Sequence, residues 1–298
     1  MTQAKNQITP WLLLLPATVL LAVFTHIPAV MTFVNSFYQT PRGKRPPQFV
    51  GTDHYATMLN DPVFWAAFKN NVIYAIGTVP ASIALAMLMA IIVNSSLRGR
   101  SLMRMSFFLP TVLPMIAVAN IWLFFYTPGY GLIDQFLGLF GLPETNWLGN
   151  PDTVLGSLMA LAIWKEAGFF MIFYLAALQQ ISPSLSEAAA LEGTGRWYFF
   201  RRVTFPLLMP TTLFVLINAV INAFRLIDHV IVMTRGGPDN ASTLLLYYVY
   251  NVAFRFWDTA YASALTVVLL LVKLSNVSGA NRSNRASYSG GWKAIHTA

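Results

Sequence analysis

Cysteine is absent from this chain of 298 residues, and charged residues make up only 10% of it. Without cysteine there can be no disulfide framework, thiolate nucleophile or cysteine metal site. An ordinary soluble domain carries about a quarter charged residues, whereas 56% of this chain is hydrophobic. The composition therefore predicts a membrane protein with several spans of about 20 residues each.

Catalytic motifs are also missing from the sequence. There is no phosphate-cradling G-x-x-x-x-G-K-[ST] segment, so the chain cannot bind ATP by that device. The four histidines, His26, His54, His229 and His296, show no ligand-like spacing and are interpreted as structural or incidental. We therefore predict that the chain is not an enzyme and carries no catalytic residue, metal site or cofactor.

Positive charge is the one excess, with 19 Lys and Arg against 11 Asp and Glu and a net charge of +8. In a soluble protein this balance could indicate nucleic acid binding. Here the positive residues cluster between apolar segments, and orientation in the lipid bilayer explains them better. No nucleic acid partner is expected.

Five apolar segments are long enough to cross a bilayer, and a sixth is marginal. They are Trp11–Phe37, Asn71–Val93, Met105–Tyr126, Thr153–Leu178, Pro206–Met233 and Tyr261–Val272. The first is too long for a typical signal peptide and is not closed by a convincing cleavage site, so we expect an uncleaved span. The sequence predicts an all-α, polytopic transmembrane helix bundle of about six spans.

Clustered basic residues predict the orientation of these spans. Six arginines lie in the segments after the second and fourth spans: Arg98, Arg100, Arg104, Arg196, Arg201 and Arg202. Because cytoplasmic loops carry an excess of Lys and Arg, both segments are predicted to be cytoplasmic. Alternation then places the loops 38–65, 127–152 and 234–258 outside and both termini inside.

The first outer loop is an exception to this charge pattern. Its Arg42, Lys44 and Arg45 outnumber the single Lys5 on the N-terminal side. The six clustered arginines outweigh this local reversal, so residues 1–10 are still expected to be cytoplasmic.

A polar loop, residues 183–205, joins the fourth and fifth spans and has the pattern of a helix–turn–helix. Ser184 is the predicted N-cap, which places Glu187 at the third helical position of a capping box. Gly193 is predicted to end this helix in a left-handed conformation. A second short helix is predicted for residues 196–202, and Pro206 would begin the next span.

Three consecutive alanines in the first helix give it a surface with little side-chain bulk, which another protein can approach closely. The alternative is an ordinary interfacial helix without a partner, because short motifs match by chance often.

The spacing of Glu187-Ala188-Ala189, Gly193 and Val203-Thr204-Phe205-Pro206 resembles the E-A-A loop of bacterial ABC importer permeases. Val203 and Phe205 stand where that family usually has Ile and Leu. Four further segments resemble the family in order and spacing: Phe49-Val50-Gly51 with Tyr55, Phe107–Pro110, Pro128–Ile133, and Thr234–Pro238 with Thr243. The last is similar to the T-x-G-G-P segment of sugar and glycerol-3-phosphate permeases.

The resemblance implies a membrane-spanning permease subunit of an ATP-driven ABC importer. Such a subunit translocates a sugar, oligosaccharide or glycerol-3-phosphate-like solute across the bacterial cell (inner) membrane. The implied partners are a second related permease subunit in a heterodimer, two ATP-binding cassette ATPase subunits and an extracytoplasmic solute-binding protein. A self-contained secondary carrier or a channel is the alternative, although no duplicated halves or ion-coupling residues are evident.

In the family, the E-A-A helix docks into a cleft on the ATPase subunit and transmits its movement. Carried over to this sequence, the ATPase-coupling residues are Glu187, Ala188, Ala189 and Gly193. ATP hydrolysis would be supplied by that partner.

Four charged residues lie within predicted spans and are candidates for lining the membrane pathway: Lys165, Glu166, Arg225 and Asp228. A charge at membrane depth is costly unless it is paired or faces water. Arg225 and Asp228 are predicted to share one helix face and to pair, whereas Lys165 and Glu166 are adjacent and cannot share one. The alternative is that all four lie near helix ends, where they snorkel or bridge to a partner.

The sixth span is short, at about 20 Å from Ala260 to Val272, against a hydrocarbon core of about 30 Å. One hypothesis is that residues 253–259 supply the missing turn; another is that a frame change in the gene replaced the end of the helix. The predicted organisation is thus a transmembrane permease domain at 11–272, with the coupling loop 183–205, followed by an atypical polar tail at 273–298.

Overall fold

The structure is a computed structural model that describes residues 2–41, 46–95 and 99–272, with side chains from Pro10 onward. Within these ranges the chain is helical apart from turns, loops and one isolated antiparallel bridge between Tyr38 and Phe49. Several residues used in the sequence analysis lie outside the described part: Arg42, Lys44, Arg45, Arg98, the Lys5 side chain and the tail 273–298.

The helices follow one another along the chain and two of them are joined to their successors by π-helical turns. They are α1 (Thr2–Leu21), a π turn (Ala22–His26), α2 (Ile27–Asn35), α3 (Asp53–Leu59), α4 (Pro62–Asn94), α5 (Arg100–Val112), α6 (Met115–Phe125), α7 (Leu132–Gly138), α8 (Pro151–Gln179), α9 (Pro183–Leu191), α10 (Arg196–Phe199), a second π turn (Phe200–Thr204), α11 (Phe205–Ala223), α12 (Asp228–Met233), α13 (Leu245–Phe254) and α14 (Thr259–Val272).

The predicted membrane helices are present. Four helical stretches in the described ranges are long and apolar enough to cross a membrane: Pro10–Asn35, Pro62–Asn94, Pro151–Gln179 and Arg196–Met233. The bent pair α5–α6 makes a fifth, and α14 is a shorter apolar helix at the position of the marginal sixth span. The prediction of an all-α polytopic bundle is therefore confirmed.

The third span differs from its prediction, because it is broken in the middle. The direction of the chain bends by 103° between helices α5 and α6. Leu113 between them is extended, with φ −72° and ψ 138°, because the ring of Pro114 disfavours helical backbone at the preceding residue. The continuous helix predicted for residues 105–126 is therefore wrong at its centre.

The fifth span is also interrupted. Helix α11 ends at Ala223 and α12 begins at Asp228, with a turn between them. Arg225 therefore lies in the turn and Asp228 opens the next helix, so the prediction that they share one helix face is wrong.

The sixth span is not extended upstream. Helix α13 ends at Phe254, and Trp257 adopts a left-handed conformation with φ +58° that stops regular helix before α14. The hypothesis that residues 253–259 supply a missing helical turn is therefore wrong. Asp258 instead accepts a hydrogen bond from the amide of Tyr261 at 3.0 Å, at the start of α14.

By its contacts the chain divides into two compact units. The first comprises Met1–Pro62 and Tyr248–Val272, and the described part of the second lies within Val63–Tyr247. In the first unit, the Asp61 carboxylate accepts hydrogen bonds from the hydroxyls of Tyr248 and Tyr261. Burial and the nearby Asp61 carboxylate raise the pKa of Tyr248, so its hydroxyl stays protonated and donates.

The second unit is built around α8, which contributes the largest group of buried side chains. Leu158, Leu161, Phe170, Met171 and Tyr174 are all fully buried. Helix α8 packs against α5 on one side and α11 on another. It therefore connects the broken third span to the helix that follows the polar loop.

Candidate functional site

Helix α9 carries the predicted coupling residues, but it begins two residues earlier than the capping-box prediction requires. Its N-cap is Ser182 and its first residue is Pro183, whose fixed φ and missing amide suit that position. The hydroxyls of Ser182 and Ser184 bond to each other at 2.8 Å. Glu187 therefore lies at the fifth helical position, and the predicted capping box between Ser184 and Glu187 is wrong.

The end of α9 is a Schellman turn built on Gly193. The Gly193 amide donates to the Ala190 carbonyl at 3.1 Å and the Thr194 amide donates to the Ala189 carbonyl at 2.9 Å, which is the paired pattern that closes such a helix end. Gly193 has φ +68°, so the prediction of a left-handed glycine is confirmed. A Cβ on Gly193 would meet nothing within 4 Å, so backbone conformation alone selects glycine here.

The surface of α9 is uncovered by the described part of the chain, since none of its residues is buried. Leu191 lies four residues after Glu187 and three residues after Ala188, so its side chain adjoins both of them on the helix surface; we call these three residues the α9 face. Leu191 is 91% exposed. The sequence analysis missed Leu191, although its spacing of four residues from Glu187 was the available signal.

The second helix of the polar loop is continuous with the fifth span. Helix α10 runs through the π turn Phe200–Thr204 directly into α11, and the Phe205 amide donates to the Phe200 carbonyl five residues back. Pro206 lies in the first turn of α11, as predicted. Because proline has no amide to donate to the carbonyl four residues earlier, the wider turn precedes it.

Lys165 and Glu166 in α8 reach different neighbours. Lys165 Nζ donates to the carbonyls of Pro110 at 2.9 Å and Leu113 at 2.5 Å. The Glu166 carboxyl accepts a hydrogen bond from the side chain of Asn222 in α11. The prediction that these adjacent residues do not share a face is confirmed.

The turn between α11 and α12 lies next to this glutamate. Asn222 is the residue before Ala223, and its carbonyl accepts from the amide of Arg225 at 3.0 Å. Arg225 is exposed and Asp228 is half-buried. The structure thus places Glu166 beside the interruption of the fifth span.

Polar side chains of α4 stabilise the same interruption. Asn71, which is 1% exposed, donates to the Ala223 carbonyl at 3.2 Å and accepts from the Leu245 amide at 3.2 Å. The Tyr74 hydroxyl lies 3.0 Å from Nε2 of the fully buried His229. His229 is therefore a structural histidine of the helix core, as predicted.

The T-x-G-G-P segment, Thr234–Pro238, forms a compact loop held by its own side chains. The Thr243 hydroxyl donates to the Gly236 carbonyl at 3.0 Å. Asn70 of α4 donates to the carbonyls of Asn240 at 2.8 Å and Thr243 at 3.1 Å. A Cβ on Gly236, which has φ +80°, would overlap Thr243 Oγ1. The glycine at position 236 and the threonine at position 243 are thus explained by the conformation of this loop.

The residues described above do not form a recognisable metal site. Among the residues that the structure describes, no group of three or more His, Asp or Glu is arranged to hold a metal ion.

The described residues form a helical, multi-pass membrane protein in which the polar-loop helix α9 is exposed. Residues 82–284 match the family described as "Binding-protein-dependent transport system inner membrane component", and the chain belongs to this family. It is a multi-pass permease subunit of an ABC importer and not itself an enzyme, so ATP hydrolysis belongs to a partner subunit. The findings do not support the alternative of a self-contained carrier or channel.

The chain is similar in sequence to its relatives along nearly its whole length. The chain is 36% identical to the lactose transport system permease protein LacF of Rhizobium radiobacter, with 88% of this chain and 89% of that protein covered. It is 31% identical to the sulfoquinovosyl glycerol transport system permease protein SmoG of Agrobacterium fabrum, covering 88% and 86%. A crystal structure of a bacterial ABC transporter that imports the acidic polysaccharide alginate is similar, with 25% identity, a TM-score of 0.83 and coverage of 95% and 96%.

Proposed function

We propose that this permease carries a sugar, oligosaccharide or glycerol-3-phosphate-like solute across the bacterial inner membrane, with both termini in the cytoplasm. The relatives named for lactose, sulfoquinovosyl glycerol, trehalose and maltose, and sn-glycerol-3-phosphate support this solute class. The cluster of Arg196, Arg201 and Arg202 beside α9 supports a cytoplasmic polar loop.

The proposed partners are a second related permease subunit, two ATP-binding cassette ATPases and an extracytoplasmic solute-binding protein. The description of the family as dependent on a binding protein supports the last of these. A fold neighbour with a TM-score of 0.84 was solved with a periplasmic protein that holds an alginate pentasaccharide.

The α9 face is the observation that carries the coupling proposal. Its glutamate offers a charge, its alanine allows close approach, and its leucine offers apolar area that no described part of the chain buries. We propose that the ATPase docks on Glu187, Ala188, Ala189 and Leu191, and that Gly193 fixes the turn behind them.

Movement of α9 would then reach the membrane through a continuous helix. Beyond the Gly193 turn, α10, the π turn and α11 form one uninterrupted helical stretch from Arg196 to Ala223. A displacement by the ATPase would therefore shift the whole fifth span up to its interruption. Glu166, Arg225 and Asp228 lie at or beside that interruption, which supports a role for these three in lining the pathway; Lys165 has separate contacts.

Uptake in sealed vesicles tests the proposal. The permease is reconstituted with the second permease subunit, the ATPase and the binding protein of its own host, and radiolabelled lactose, maltose, trehalose and glycerol-3-phosphate are offered. We expect uptake of at least one of them only when internal ATP, the ATPase and the binding protein are all present. Uptake that needs neither ATP nor ATPase would contradict the importer assignment of this chain.

Paired variants test the coupling residues. Glu187→Ala and Gly193→Val are expected to abolish uptake and reduce co-purification of the ATPase, with normal recovery in the membrane. Gly195→Val is the matched control, because Gly195 has an ordinary φ of −65° and open space around it. Full uptake and normal ATPase recovery in both coupling variants would refute the docking site.

A further inference from the structure

The break in the third span leaves two backbone carbonyls without their usual helical partners. The Pro110 carbonyl would normally accept a hydrogen bond from the residue four positions later, but that residue is Pro114, which has no amide hydrogen. The Leu113 carbonyl follows the last residue of α5, where helix ends leave carbonyls unpaired. In a bilayer core, water is not available to satisfy such groups, so the protein must supply a donor.

Lys165 supplies donors to both of these carbonyls. Its Nζ lies 2.9 Å from the Pro110 oxygen and 2.5 Å from the Leu113 oxygen. The ammonium also lies at the carboxyl-terminal end of α5, where the helix dipole favours a positive charge. The Lys165 ammonium thus satisfies the two unpaired carbonyls, and the carbonyl oxygens in turn stabilise its positive charge.

Gly168 allows this contact by letting α8 approach the backbone of α5. It lies one turn beyond Lys165 on the same face of α8. A Cβ at Gly168 would overlap the Phe107 carbonyl oxygen and lie 3.1 Å from Thr111 Oγ1. Any larger residue would push the two helices apart and carry the Lys165 ammonium away from the α5 carbonyls.

We propose that Lys165 is a positioning residue that holds the 103° bend of the third span. Gly168 sets the distance between α8 and α5, and thereby keeps the Lys165 ammonium within reach of the two carbonyls. Its ammonium is bound by α5 carbonyls and does not serve as a solute ligand in the pathway. The proposal depends on the proposed function only for its effect on transport; the geometric role stands on the α5–α8 contacts alone.

Spin labels across the bend give a direct test, and the cysteine-free chain needs no background substitutions. Leu102 in α5 and Phe124 in α6 are both exposed, at 64% and 58%. A straight helix would separate their Cα atoms by roughly 33 Å. Two arms of about 16 Å, bent as they are here, would separate them by about 20 Å. Leu102→Cys/Phe124→Cys is labelled and measured by pulsed electron resonance in lipid nanodiscs, without solute or partner.

We expect Lys165→Met to lengthen and broaden this distance distribution. Lys165→Arg should keep it, because the guanidinium retains donors and charge. Gly168→Ala should shift the distance as Lys165→Met does, although it leaves every charge in place. Lys69→Met, at an exposed lysine of α4, and Gly156→Ala, at a glycine of α8 with open space around it, are the matched controls and should match the unsubstituted chain.

An unchanged distance in Lys165→Met would overturn the proposal, whatever happens to uptake. If that variant also loses uptake, Lys165 acts on the solute or on proton movement, as pathway lining would require. If Lys165→Met is not recovered in the membrane, Lys165→Gln and Gly168→Ala provide the same comparison. Because the distance is measured without solute, failure of this proposal is distinguishable from failure of the proposed import function.

Discussion

Leu191 is the most exposed large apolar side chain on the polar loop, at 91%. A single exposed leucine is common in proteins and indicates nothing by itself. Here it lies four residues after Glu187 on a helix without buried residues, beside alanines that allow close approach. At the residue scale, this arrangement is what a docking face requires, and it supports the proposed binding of the ATPase at the α9 face.

We expect Leu191→Ser to weaken ATPase binding by about tenfold to a hundredfold. Burying a leucine contributes roughly 1.5–3 kcal/mol, and each 1.4 kcal/mol is about a tenfold change in affinity. The affinity is measured between purified permease in nanodiscs and the isolated ATPase. Leu139→Ser removes an equally exposed leucine, at 81%, from the opposite predicted side and serves as control.

The thermal stability of both variants should stay near that of the unsubstituted permease, because neither leucine packs in the core. Equal losses of ATPase affinity in Leu191→Ser and Leu139→Ser would mean that the α9 face has no specific role.

At the scale of elements, the two interrupted spans differ in how far the sequence could predict them. The third span breaks at Pro114, a local signal that is visible in the sequence because proline disfavours helical backbone at the residue before it. The fifth span breaks between Ala223 and Asp228 without proline or glycine. There the turn is stabilised by Asn71, which binds the Ala223 carbonyl across 152 positions of sequence. Periodicity and hydropathy do not contain such a long-range contact.

The two ends of α9 also differ in how well the sequence predicted them. The Gly193 turn was predictable because a left-handed C-terminal position favours glycine through local sterics. The start of α9 was misplaced because Ser182 and Ser184 are both acceptable N-caps and the choice depends on Pro183. Local rules thus predicted that helix α9 exists and where it ends, whereas its first residue was determined by Pro183.

Asn71→Leu should destabilise the permease strongly. The substitution leaves the Ala223 carbonyl and the Leu245 amide without this buried partner, and each unsatisfied group costs about 1–3 kcal/mol. The free energy of unfolding is measured by denaturant titration in mild detergent. Asn120→Leu is the control, because Asn120 is exposed and its side chain donates to the carbonyl of Ile116 in its own helix; its effect should stay within about 0.5 kcal/mol.

Equal stability of Asn71→Leu and Asn120→Leu would show that the interruption of the fifth span does not depend on α4.

For the whole molecule, composition and hydropathy predicted the fold class, and charge clusters predicted an orientation. Neither could assign the importer class, which rested on resemblance and now on the family match of residues 82–284. The pathway candidates were chosen only because charges are rare in spans. Their geometry separates them, since Lys165 reaches α5 whereas Glu166 reaches α11.

Single-cysteine labelling tests the predicted orientation. Ser101→Cys and Ser184→Cys should react with an impermeant maleimide only from the cytoplasmic side, and Leu139→Cys and Phe256→Cys only from outside. All four positions are exposed. Asp134, in the same predicted outer loop as Leu139, is not suitable for labelling because it is buried and accepts a hydrogen bond from the Trp147 indole at 2.7 Å. Labelling of position 256 only from the cytoplasm would overturn the orientation.

Because no residue of α9 is buried, its backbone hydrogen bonds should break and re-form often in the free permease. Isolated helices shorter than about 12–15 residues are marginal in water, and α9 has nine residues, none of them buried. Its amide hydrogens should therefore exchange with solvent rapidly in the free permease and slowly once the ATPase is bound. Those of α8 around Phe170 should exchange slowly in both states. Part of the binding free energy would then be used to order α9. The helix would therefore be stably formed, and able to transmit movement, only while the ATPase is bound.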